Sequence, residues 1–173
     1  MTTVIFKEKQ KFSQVWIWIL IIGLTSVLAY SKYKTYYLKE VFGKLEPSDS
    51  FFYTTDIIIV LIFAILVTAN LKTEVRIDGL YYKFFPFHLK MHHIKWTDIK
   101  FLQIRKYKPV SEYLGWGIKF GPKGKAFNVS GDIGFQVVMK NGKRILFGTQ
   151  QSEKLQEAFK KINIAHINNI KVN

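Results

Sequence analysis

Two long apolar runs occupy most of the first seventy residues, and short alternating runs follow them. Phe12 to Ser31 is uncharged throughout and lies between Lys11 and Lys32. Its length is what a helix needs to cross a hydrocarbon core of about 30 Å. Trp16, Trp18 and Tyr30 fall towards its ends, where interfacial aromatics sit. The second run, Phe51 to Leu71, is apolar throughout Ile57 to Val67, and Asp56 is its one charge. From Glu74 the period drops to two. Glu74-Val75-Arg76-Ile77 turns at Asp78-Gly79 into Leu80 to Phe87, and Met91 to Trp96 and Ile99 to Tyr107 follow. Lys108 to Leu114 reads as a loop. Further short strands are expected at 118–120, 126–129, 135–139 and 144–147, the last two joined through Asn141-Gly142. That dipeptide is the sequence signal of a type I′ hairpin, which needs positive φ at both central residues. The period then changes again. Leu155, Ala158, Phe159 and Ile162 share one helical face, opposite Lys154, Glu157, Lys160 and Lys161.

These patterns divide the chain into a membrane anchor over 1–73, a β-domain over 74–163 and a tail over 164–173 that reads as frayed. The anchor comprises spans of about 12–31 and 51–71 and a loop, 32–50, too short to be a domain. Tyr33, Tyr36, Tyr37, Val41 and Phe42 extend the first helix by their spacing, and Gly43 and Pro47 end it. The first run is long for a signal peptide and no small-x-small cleavage site follows it. Two spans place both ends on one side. Lys7, Lys9, Lys11, Lys72, Arg76 and Lys83 flank the spans, against Lys32, Lys34, Lys39 and Lys44 between them. This bias favours cytoplasmic termini in a bacterial inner membrane.

Charge sharpens the division. The chain carries +14 at neutral pH, of which residues 74–173 hold +11. Apolar residues at 49% exclude a disordered chain. The absence of cysteine excludes disulfides, thiolate metal sites and a cysteine nucleophile.

Candidate chemistry is sparse. Asp56 beside Tyr53, Thr54 and Thr55 reads as an interfacial or capping carboxylate, with a functional intramembrane acid as the rival. His88, His92 and His93 invite a metal, but neighbours on a strand point to opposite faces and no carboxylates complete a set. Ser111, Ser130 and Thr149 lie in no nucleophile elbow. Lys119 to Lys125 lacks P-loop spacing, and Gly115-Trp116-Gly117 lacks a βαβ context. The expectation is therefore no catalytic, cofactor or metal residue. The basic turns are the better candidates: Lys119, Lys123 and Lys125 around one, Arg105, Lys106 and Lys108 at a strand end, and Lys140, Lys143 and Arg144 around Asn141-Gly142. At an anionic leaflet each such cation contributes about 1 kcal/mol.

An ordered set of segments resembles the bacterial pleckstrin-homology-like domains of small membrane proteins. It comprises Tyr82-Lys83-Phe84-Phe85-Pro86, Ile94-Lys95-Trp96-Thr97-Asp98-Ile99, Arg105-Lys106-Tyr107-Lys108-Pro109, Gly115-Trp116-Gly117-Ile118, Ala126 to Gly131 and Phe147-Gly148-Thr149-Gln150, covering about residues 74–163. The resemblance implies an α+β membrane protein: a two-helix transmembrane hairpin, then a seven-stranded bent β-barrel or sandwich capped by a C-terminal helix. It also implies binding or assembly rather than catalysis. The expected role is non-enzymatic, with the basic domain binding anionic lipid or a protein partner at the cytoplasmic face, as in an assembly scaffold. No nucleic-acid partner is expected, since neither a recognition helix nor an aromatic pair of the RNA-binding kind is present. Two alternatives stand beside this reading: an oligomerising structural module, and a membrane enzyme or transporter accessory using Asp56.

Overall fold

The computed structural model describes residues 3–38, 48–166 and 170–172, and side chains as far as Ile162. The chain forms two compact units. One is helical, Ser13–Val67; the other is a β unit made of Met1–Phe12 together with Thr68–Asn173.

The helical unit holds α1 (Val15–Tyr33), a π-helical turn (Lys34–Leu38) and α2 (Asp49–Thr68). Both helices are long and apolar enough to cross a membrane. They bear their apolar side chains outward: Ile19, Ile22, Val27, Val60 and Leu61 are all exposed. The hydroxyls of Thr25 and Thr55 donate to carbonyls one turn back, those of Ile21 and Phe51. Trp18 meets Phe63 edge-on at 6.0 Å, and Lys32 of α1 pairs with Asp56 of α2. Asp56 is therefore a member of an interhelical ion pair and not a helix cap. Val41, Phe42, Gly43 and Pro47 lie outside the described residues.

The β unit opens with a strand the sequence reading assigns to the anchor, β1 (Val4–Lys11). It pairs antiparallel with β2 (Asn70–Arg76), which pairs with β3 (Gly79–Phe85), which pairs with β4 (His92–Lys95). The second sheet has six strands: β5 (Ile99–Lys106), β6 (Gly117–Gly121), β7 (Gly124–Asn128), β8 (Ile133–Met139), β9 (Arg144–Gly148) and β10 (Ile170–Val172), in the order β10-β5-β8-β9-β7-β6. Among the described residues no closed barrel forms. The first sheet runs β1-β2-β3-β4 and the second keeps β10 and β6 at its edges. Counting alternating runs yields a number of strands but says nothing about which edges pair.

Helix α4 (Ser152–His166) crosses the core. Leu155, Ala158, Phe159 and Ile162 are all buried, as the spacing predicts. Phe159 lies edge-on to Trp96, which follows the first sheet, and to Phe135 of the second. The helix extends past the expected tail boundary, and β10 then pairs parallel with β5.

Three local expectations are corrected. Residues 109–113 form a short helix, α3 (Pro109–Tyr113), with proline in its first turn and Leu114 left-handed at its C-cap. Five residues are too few for periodicity to show. The Asn141-Gly142 hairpin exists, but Gly142 alone has positive φ, and the bonds Gly142 N–H to Met139 O and Met139 N–H to Lys143 O make it a type I turn with a glycine bulge. In the first hairpin Gly79 is not a turn residue but pairs with Arg76, and a Cβ there would stand 2.4 Å from Ile94 O.

The first strand is held by buried polar groups. Glu8 accepts from Thr149 Oγ1 and from the Gln150 amide, each at 2.7 Å, and Gln10 Nε2 donates to Gly148 O at 2.7 Å. The chain leaves the β unit just after Lys11 and returns at Asn70, and these two residues face each other in the ladder.

Candidate functional site

The expected basic turns come only partly together. β7 pairs parallel with β9, so the turns preceding them share one end of the second sheet. Lys125, Lys143 and Arg144 there line one concavity with Phe120 and Pro122. Lys125 Nζ lies 4.6 Å from the centroid of Phe127 and 5.3 Å from that of Phe120. Gly124, at φ 104°, permits the close approach of β7 to β9, since a Cβ would stand 2.2 Å from Arg144 O. Lys140 is exposed at the same hairpin, its amide bonded to Asp98 O, and Lys119 is half-buried on β6.

Arg105, Lys106 and Lys123 are engaged by acids, whereas the Lys108 side chain is exposed. Arg105 donates to both oxygens of Glu112, at 2.8 and 3.3 Å, and to Gln136 Oε1. Lys123 approaches the same carboxylate at 3.2 Å, and the Lys108 amide donates to it at 3.0 Å. Lys106 pairs with Asp132. Burial alone would raise the Glu112 pKa, but Arg105, the Lys108 amide and Lys123 outweigh it and hold the carboxyl at about 2. Arg105 and Lys123 thus fasten α3 to the sheet and are not free for an anionic partner.

This cluster yields a prediction. The folded pKa of Glu112 lies below its ordinary value, so the unfolded chain takes up the proton first and stability is lost as the pH is lowered. Glu112→Gln is expected to cost about 2–3 kcal/mol at pH 7, the scale of hydrogen bonds to charged groups. In denaturant titrations the gap between the two proteins should close as pH drops from about 4.5 towards 2. A gap constant across that window would refute the assignment.

The histidines separate by face. His93 stacks on Tyr81 at 4.2 Å, and His92 stacks on Tyr82 at 5.2 Å on the other face. His88 joins His92 at 4.3 Å between ring centroids. Burial, then His92 and Lys125, lower the His88 pKa, and its Nδ1 accepts from the Phe84 amide. Among the described residues no three His, Asp or Glu side chains converge on a point that would hold a metal.

A basic surface outside the expected turns covers the outer face of the first sheet. Register places Lys9, Lys72 and Lys83 directly abreast on β1, β2 and β3. The flanking rows are Lys11–Asn70–Phe85, at the end where the chain leaves the unit, and Lys7–Glu74–Tyr81–His93. Glu74 is bonded by Lys72 at 2.8 Å and by Arg76 at 2.5 Å; burial would raise its pKa, but these two cations lower it. Arg76 also lies over the Tyr81 ring at 4.3 Å. Lys72 is thus paired with Glu74 within the row, and Lys9 and Lys83 flank it on the neighbouring strands. A groove of about 520 Å³ runs along it, lined by Lys7, Lys9, Lys72, Lys83, Leu89 and Met91, with Asn70 and Phe85.

The signal for this face was present as Lys7-Glu8-Lys9-Gln10-Lys11, a strict alternation. Its inward residues are Glu8 and Gln10, so it reads as a solvated flank and not as a strand. No family model matches the chain, and no curated protein matches it.

Proposed function

We propose that this chain is a non-enzymatic, two-span protein of a bacterial inner membrane whose β unit binds anionic lipid at the cytoplasmic face, in the manner of a pleckstrin-homology-like module. One observation carries the reading. The row Lys9–Lys72–Lys83 lies two residues from Lys11 and Asn70, where the chain departs for and returns from the two apolar helices. If those helices cross a bilayer, the row is held close to its surface, where each cation is worth about 1 kcal/mol against an anionic leaflet. The outward apolar side chains of α1 and α2 support the same reading, because exposed apolar surface of this extent suits hydrocarbon. Lys125, Lys143 and Arg144 form a second cationic surface that adds to net attraction.

The test uses the full chain in nanodiscs of neutral or anionic phospholipid. A site filled at a hundredfold its Kd adds about 2.7 kcal/mol, which for a unit of this size raises the unfolding midpoint by about 10 °C. The rise should appear with anionic lipid alone and vanish at 1 M salt, where charges are screened beyond about 3 Å. Equal midpoints in both lipids at low salt would reject the reading.

A further inference from the structure

The loop between β3 and β4, residues 86–91, leaves the same end of the first sheet as the chain exits, because Phe85 pairs with Asn70 and Asn70 with Lys11. It exposes two large apolar side chains, Phe87 at 61% and Leu89 at 75%. The residue between them does the opposite. His88 turns inward, its amide donating to Phe84 O at 2.8 Å and its ring packed on Phe127 and His92. Phe87 rests on Phe84 at 6.2 Å between centroids. An inward pin with an outward apolar residue on each side is a wedge held in place, not a loop with stray hydrophobics. Beside Leu89 runs the groove with Lys9, Lys72 and Lys83.

We propose that this loop is a membrane-inserting wedge. Phe87 and Leu89 enter the boundary between headgroups and acyl chains, while the lysine row meets the lipid phosphates. The proposal rests on the reading that the chain is a membrane protein with an anionic-lipid-binding β unit, and it names the surface that docks. Charge complementarity and the shared sheet end commit it to one occupant, a phospholipid bilayer. Apolar side chains beside a lysine row match the two layers of such a surface, hydrocarbon below and phosphate above. The wedge would fix the orientation of the β unit, since the turn containing Ile77 lies at the opposite end of the same sheet and would face water.

The chain contains no cysteine, so spin labels can be placed singly without altering other positions. Phe87→Cys, Leu89→Cys, Ile77→Cys and Phe120→Cys are labelled on the full chain reconstituted into anionic vesicles. Accessibility to oxygen and to a water-soluble nickel complex is then compared by electron paramagnetic resonance. All four side chains are exposed, so none of the substitutions opens the core. The wedge predicts an oxygen-to-nickel ratio several-fold higher at 87 and 89 than at 77 and 120. A ratio at 87 and 89 as low as at 77 would overturn it. A high ratio at 120 with a low one at 87 and 89 would also overturn it, placing the β6–β7 turn at the lipid while leaving anionic-lipid binding intact. Low ratios at all four positions overturn the wedge, and the nanodisc comparison then decides separately whether anionic-lipid binding survives.

Discussion

Replacing Glu8 by alanine is expected to lower the stability of the β unit by about 3–5 kcal/mol, the sum of two hydrogen bonds to a buried carboxylate. Glu8 is 3% exposed and holds the Thr149 hydroxyl and the Gln150 amide, more than a hundred residues away along the chain. Without the carboxylate both donors lose their partner, and the first strand loses its tie to the second sheet. For a unit of this size the loss corresponds to a fall in melting midpoint of about 10–20 °C. Near-ultraviolet circular dichroism of the full chain in detergent reads it, with Lys9→Ala as the control. Lys9 points outward on the same strand, so its removal should stay within about 0.5 kcal/mol. Equal stability of Glu8→Ala and Lys9→Ala would mean that β1 is not docked as described.

The second large effect concerns what can be removed. Phe12 and Ala69 directly follow and precede the paired residues Lys11 and Asn70, so a two-residue turn can join them. A chain in which residues 13–68 are replaced by Asn-Gly should fold as a water-soluble β unit with a cooperative melt. The dipeptide supplies the positive φ values that a two-residue hairpin loop requires. A fragment beginning at Lys72 should behave oppositely. It lacks β1 and the first two residues of β2, leaves the rest of β2 as an unprotected edge, and removes Leu71 from the core beside Val75. The measurement is sedimentation together with thermal unfolding. An insoluble Asn-Gly chain, or a fragment from Lys72 that melts as cooperatively, would contradict the account of the first strand.

Much of the architecture is legible in the sequence because it rests on local periodicity. The two apolar helices, the β3 run, the Asn141-Gly142 reversal and the buried face Leu155–Ala158–Phe159–Ile162 each repeat within a few residues. What is not legible depends on pairing across long separations. β1 looks like a charged flank because its inward side chains, Glu8 and Gln10, are polar, and their partners lie at 148–150. The row Lys9–Lys72–Lys83 exists only once the register is known. The nine basic residues at the expected turns are similarly sorted by contacts that composition cannot reveal: Arg105 and Lys123 are held by Glu112, while Lys125, Lys143 and Arg144 share a concavity.

Charge-dependent attachment of the β unit to an anionic surface is tested most directly by co-sedimentation of the Asn-Gly chain with vesicles. Neutral and anionic phosphatidyl lipids are compared at low and high salt, with Lys9, Lys72 and Lys83 intact or changed to glutamate. The expected result is pelleting with anionic vesicles alone, lost at high salt and lost again in the glutamate variant. Pelleting with neutral vesicles that salt does not weaken, or attachment indifferent to the three lysines, would contradict it.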